Sequence, residues 1–174
     1  NNSNLFDYTS NTLTRQNNMN RARWYSSSTV LLNGEVYTQG GSGGTDYPEI
    51  RATNGSFRLL TGASTSNFAY YFPRNFIAPD GRVFGYDSAG RMYYVDPAGS
   101  GTVTQVGQFA SGYTGSDASA AMFRPGRILQ FCPLQFLVFL DPAIKLADLI
   151  RNGGTEQDLC NQSVGIKRDG RQYF

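Results

Sequence analysis

The residue types that carry acid–base, nucleophilic or metal chemistry are scarce in this chain and poorly placed for it. There is no histidine among its 174 residues, so a serine or cysteine hydrolase would need a lysine base. Both lysines, Lys145 and Lys167, and both cysteines, Cys132 and Cys160, fall after residue 131. Of the glutamates only Glu35 and Glu49 precede that point, a thin supply for the paired carboxylates of glycoside hydrolysis. Asp80, Asp87 and Asp96 lack the spacing of a calcium loop. The run Gly40-Gly41-Ser42-Gly43-Gly44 is followed by neither a Lys-Ser/Thr pair nor a helix, so it reads as a flexible inter-strand loop and not as a phosphate cradle.

What the chain has in quantity is aromatic surface, with 11 Tyr and 12 Phe. Trp24 and Tyr25 are adjacent, and on a strand successive side chains alternate, so one would face the core and the other a channel or solvent. Tyr70-Tyr71-Phe72 and Tyr93-Tyr94 either pack between sheets or line a carbohydrate-binding rim, because aromatic faces stack on sugar rings. Arg21 and Arg23 read as solvated surface groups, with the pinning of a neighbouring turn as the alternative. Asn1, Asn54 and Asn161 each open an Asn-x-Ser triplet that matters only in a glycosylating host, and Asn54 sits in a tight turn.

The elements that position these side chains are announced by a phrase repeated three times, over residues 28–38, 75–85 and 120–130. Each copy is a strand, a short turn and a returning strand. Their central glycines, Gly34, Gly81 and Gly126, recur at a spacing of about 46 residues, which fits a propeller blade. Asn33-Gly34 and Asp80-Gly81 predict two-residue type I′ turns, and Pro125-Gly126 predicts a type II turn. A second hairpin follows each of the first two copies, one turning at Asn54-Gly55 and the other in the loop over residues 97–101. Two hairpins per unit make a four-stranded sheet.

The predicted fold is therefore all-β: a partial β-propeller of two four-stranded blades and the start of a third, with a short helical C-terminal tail. A polar segment occupies residues 1–20, the propeller residues 21–131, and an atypical tail set apart from the propeller residues 132–174. The tail's helix begins at Asp141-Pro142 and ends at Gly153-Gly154. The apolar run over residues 136–140 is far shorter than the roughly 20 residues that cross a bilayer, which excludes membrane insertion there. Charged residues make up 16% of the chain and the net charge is +2, so nothing steers it to nucleic acid. The start at Asn1, with no initiator Met, leads to the expectation that an upstream part is missing and that further blades are needed to close the ring.

Residues 21–44, with Arg21, Arg23 and Tyr25 running into a strand, the turn Asn33-Gly34-Glu35-Val36 and then Gly40-Gly41, resemble the kelch-type propeller of galactose oxidase and glyoxal oxidase. The resemblance extends over about residues 20–131 and implies a secreted copper radical oxidase of primary alcohols or aldehydes. It places the radical-bearing, copper-ligating tyrosine at Tyr25, the candidate catalytic and metal residue. The family's histidine ligands and the cysteine cross-linked to that tyrosine have no counterpart here, so no cofactor is expected in this chain, with copper in the intact parent. The substrate would be a carbohydrate or a small alcohol or aldehyde. Where galactose oxidase has a tryptophan after Gly-Gly-Ser, this chain has Gly43. The alternative is a non-catalytic kelch propeller that binds a glycan or a protein partner.

Overall fold

A computed structural model describes residues 1–109, 118–131 and 137–140. The chain divides into two compact units, Asn1–Asp117 and Ala118–Phe174. The described residues are all-β and contain no helix. The first unit holds β1 (Asn4–Asp7), β2 (Thr12–Arg15), β3 (Trp24–Val30), β4 (Val36–Ser42), β5 (Glu49–Arg51), β6 (Phe57–Leu59), β7 (Arg74–Ile77), β8 (Val83–Tyr86), β9 (Arg91–Asp96) and β10 (Thr102–Gln108). The second holds β11 (Ala120–Arg124), β12 (Arg127–Phe131) and β13 (Leu137–Leu140). The predicted helix at 141–153, Cys132, Cys160 and both lysines lie outside the described residues.

Strands β3-β4-β5-β6 and β7-β8-β9-β10 form two four-stranded antiparallel sheets, each in sequence order without a crossover. This is a propeller-like succession of meanders, as the two hairpins per repeat require. The polar opening segment, for which no element was predicted, is itself a hairpin of β1 and β2. In the second unit β11, β12 and β13 make a three-stranded antiparallel sheet.

The hairpins fall where the repeat puts them, but their turns differ from the prediction. In the first, the Gly34 N–H donates to the Leu31 carbonyl at 2.9 Å and the Leu31 N–H to the Glu35 carbonyl at 2.8 Å. Only the glycine is left-handed, with φ of 83° at Gly34, while Asn33 has no positive φ. That is a three-residue loop, a type I turn closed by a left-handed glycine, and not a type I′ turn. Residues 78–82 and 52–56 repeat it, with φ of 87° at Gly81 and at Gly55. The physical reason lies in the Asx side chains. Asn33, Asn54 and Asp80 each take the N–H of the residue two positions on, at 3.1, 3.0 and 3.1 Å, which holds them right-handed. Pro79, with its fixed φ, fits the first corner of a type I turn. A fourth copy at Asp87–Gly90, with φ of 84° at Gly90, joins β8 to β9. The Pro125-Gly126 turn has φ of 72° at Gly126 between the paired Arg124 and Arg127, as a type II turn requires.

The core of the first unit lies between its two large sheets. Tyr37 and Ile50, paired across β4 and β5, meet Val83, Val95 and Tyr93 of the second sheet, with Leu31, Leu60, Ala63 and Phe68 closing the cluster. Each such apolar side chain contributes about 1.5–3 kcal/mol by leaving water. Two buried phenols find acceptors within this layer: Tyr37 donates to Gln39 Oε1 at 2.6 Å and Tyr93 to Asn75 Oδ1 at 3.1 Å. The first strands of the two sheets lie beside each other, tied by Thr29 Oγ1 donating to the Asn75 carbonyl at 2.7 Å.

Candidate functional site: a strained aromatic cluster at Tyr25

Tyr25 is the second residue of β3, and it breaks the strand's alternation. Trp24 pairs with Ser42 and Ser26 with Gly40, but Tyr25 itself makes no pair and has φ of 65°. The consequence is that Trp24 and Tyr25 do not face opposite ways. Their rings stack at 4.2 Å and 22°, with Trp24 64% and Tyr25 44% exposed. The predicted division between core and channel is therefore overturned by one left-handed backbone angle.

A second aromatic residue shares that conformation. Phe72 has φ of 48°, and its N–H donates to the Tyr25 carbonyl at 3.0 Å. Its ring lies 4.9 Å from that of Tyr25; Tyr71 meets Tyr25 edge-on at 5.9 Å, and Tyr70 lies 4.4 Å from Tyr71. All five rings are substantially exposed. The hydrogen bond that Tyr71 donates to the Tyr70 side chain, then the charge of that phenol, holds the Tyr71 pKa above its ordinary value. Left-handed aromatic residues cost on the order of 1–3 kcal/mol each, so the surroundings must over-determine them.

The glycine run supplies part of that constraint. Gly40 and Gly41 belong to β4, and the Gly41 N–H donates to the Tyr70 carbonyl at 2.7 Å. A Cβ on Gly40 would stand 2.4 Å from that carbonyl oxygen, and one on Gly43 2.7 Å from the Ala22 carbonyl oxygen. These residues are glycines because backbone passes where a side chain would be, which replaces the predicted flexible loop by a close-packed crossing.

The arginines supply the rest. The Arg23 side chain is fully buried, and its Nε donates to Glu49 Oε1 at 2.7 Å, an ion pair with both side chains at 0% exposure. Its remaining nitrogens reach the carbonyls of Gly40, Gly44 and Tyr47 at 3.0, 2.8 and 2.6 Å. Arg21 pairs with Asp46 at 2.8 Å, and that guanidinium draws the Asp46 carboxyl below its usual pKa. Arg23 is thus a pinning residue and not a solvated one, while Arg21 stays on the surface, solvated and paired with Asp46. On the far side, Asp87 Oδ2 accepts from the Ala69 N–H at 2.7 Å and Arg74 Nη1 donates to the Phe72 carbonyl at 2.9 Å.

Other sequence candidates are placed elsewhere. Tyr93 is fully buried and Tyr94 lies under the Arg82 guanidinium at 4.2 Å, so this pair does not join Tyr70-Tyr71-Phe72 on a rim. Glu49 is committed to Arg23 and to the Asn20 N–H at 2.8 Å, and Glu35 to Asn33. Asp80 and Asp87 pair with Arg82 and Arg91, while Asp96 caps the Ala98 N–H. The contact of Tyr25 with Tyr71 and Phe72 was not predicted; its only sequence signal was three consecutive aromatics ahead of Pro73.

The cluster offers phenol oxygens, oxidisable rings and stacking faces. Among the described residues there is no group of three or more His, Cys, Asp or Glu side chains able to hold a metal. Copper(II) favours imidazole nitrogen, and this chain has no histidine. The described residues therefore do not by themselves make up a copper site.

No family profile and no curated protein matches this sequence. Among solved structures, one similar chain is described as a novel fungal alcohol oxidase with catalytic diversity among the AA5 family, in complex with copper. It aligns with a TM-score of 0.61 at 18% identity, over 75% of this chain. The likeness is one of fold: four-stranded antiparallel sheets in propeller-like succession. This chain spans 30% of the length of that structure.

Proposed function

We propose that this chain is part of a galactose-oxidase-like kelch propeller whose complete protein is an extracellular copper radical oxidase of primary alcohols or aldehydes. The observation that carries the reading is Tyr25 itself. It stands where the sequence resemblance puts the radical tyrosine, half-exposed, stacked under Trp24 and held in a strained backbone conformation. Strain of this kind concentrates at functional sites. In the complete protein Tyr25 would supply one phenolate, and imidazole ligands would have to come from residues that this chain does not contain. The fungal alcohol oxidase of similar fold supports the class, and its bound copper supports the metal.

The test is copper loading of the full reading frame, following phenoxyl-radical absorbance and alcohol-dependent peroxide production. Tyr25→Phe is expected to abolish both while leaving the fold unchanged. Unaltered peroxide production in that variant would remove Tyr25 from the chemistry.

The second reading, a propeller that binds glycans without catalysis, is favoured by the exposed faces of Trp24, Tyr70 and Tyr71. It predicts quenching of Trp24 emission by mono- or oligosaccharides without added copper.

A further inference from the structure

We infer that Asn54 is an acceptor for an asparagine-linked glycan. Asn54-Gly55-Ser56 has the acceptor pattern, and the fold presents it at the tip of the β5–β6 hairpin, where Asn54 is exposed. Asn54 Oδ1 accepts from the Ser56 N–H at 3.0 Å and from Ser56 Oγ at 2.8 Å. The hydroxyl that the pattern demands therefore already rests on the side-chain amide to be modified. Among the described residues, no acceptor holds Asn54 Nδ2, so its modification breaks no hydrogen bond.

Two other asparagines of similar sequence are engaged. Asn33 occupies an identical turn, but residue 35 is Glu, and Asn33 Nδ2 donates to its Oε2 at 3.0 Å. Asn1 Nδ2 donates to the Met19 carbonyl at 3.1 Å. Asn161 lies outside the described residues.

The hairpin is closed by backbone bonds that the glycan would not touch: Gly55 N–H to the Ala52 carbonyl at 2.9 Å and Ala52 N–H to the Ser56 carbonyl at 2.8 Å. Strand register then sets the glycan apart from the aromatic cluster. Arg51 pairs with Val36 at one end of β4, and Trp24 with Ser42 at the other, which separates the two by about 20 Å of strand. A glycan on Asn54 leaves Tyr25 open.

In the transfer, Asn54 Nδ2 bonds to the anomeric carbon of a lipid-pyrophosphate-linked oligosaccharide. The anomeric carbon–oxygen bond to phosphate breaks, the lipid pyrophosphate leaves as the anion, and the amide gives up one proton. The inference rests on the extracellular part of the proposed function, since that donor is met on the secretory route.

The chain is therefore produced in a eukaryotic secretory host behind the host's own leader, so that entry into the route does not depend on the native destination. Trypsin releases residues 52–58, between Arg51 and Arg58. That peptide is expected to carry a glycan mass, and peptide N-glycosidase to remove it and leave Asp at position 54. Asn54→Gln and Ser56→Ala are expected to lose the modification and Ser56→Thr to keep it. An unmodified 52–58 peptide in material that has lost its leader would overturn the assignment, as would modification that persists in Ser56→Ala.

Discussion

Tyr25 and Phe72 set two opposing terms against each other at one site. Their left-handed angles cost about 1–3 kcal/mol each, and the ring contacts and shared backbone bond return about 0.5–1.5 kcal/mol per aromatic pair. Tyr25→Phe keeps the stack, so unfolding free energy is expected to change by less than about 0.5 kcal/mol in urea titrations. Tyr25→Gly removes strain and stack together; stability should stay nearly level while the emission of the chain's single tryptophan, Trp24, shifts. A stability loss of several kcal/mol in Tyr25→Gly would show that the ring is structural. Arg23 behaves differently because its partner is fully buried. Arg23→Met leaves the Glu49 carboxylate without its cation and is expected to cost about 3–5 kcal/mol, much of it recovered in the Arg23→Met/Glu49→Leu double variant. The exposed Arg21–Asp46 pair is screened by solvent and worth far less. Since folding lowers the Asp46 pKa, that contribution is present above the unfolded carboxyl value near 3.8 and disappears as pH falls through the folded value. Asp46→Asn should accordingly flatten the acid limb of the stability curve.

At the scale of elements, the aromatic cluster is a property of how β3, β4 and the segment before β7 cross. Gly40→Ala would drive a Cβ against the Tyr70 carbonyl at a backbone angle with φ of 72°. The expected result is a loss of about 2 kcal/mol or more and a shift in Trp24 emission, since residues 70–72 must move. In the hairpins, Gly81→Ala meets no backbone, with only Leu32 Cδ1 at 3.5 Å, so its cost is the left-handed angle alone, about 1–2 kcal/mol. Equal losses in thermal unfolding for Gly40→Ala and Gly81→Ala would argue that the Gly40 crossing is looser than its geometry. The strands and their order were legible in the sequence because period and turn residues are local signals. The turn type was misread, since a dipeptide such as Asn33-Gly34 satisfies two loop lengths. What separates them is whether the Asx side chain takes the N–H two residues on.

For the whole molecule, the governing feature is apolar surface left facing water among the described residues. Val30, the last residue of the edge strand β3, and Leu32, in the turn that follows it, are 64% and 77% exposed. Exposed edges and apolar patches template association. Sedimentation of this chain is expected to show concentration-dependent self-association, reduced by Val30→Lys; a monomer at all concentrations would count against it. The sequence by itself determined an all-β chain of four-stranded meanders and singled out Tyr25, because hairpin periodicity and a motif are read within a few tens of residues. Only the tertiary structure decided that Tyr25 stacks with Trp24, that residues 70–72 join it, and that Arg23 is buried. Each of those facts depends on backbone angles and carbonyl positions set by segments distant in the chain, and no local pattern of residue types records them.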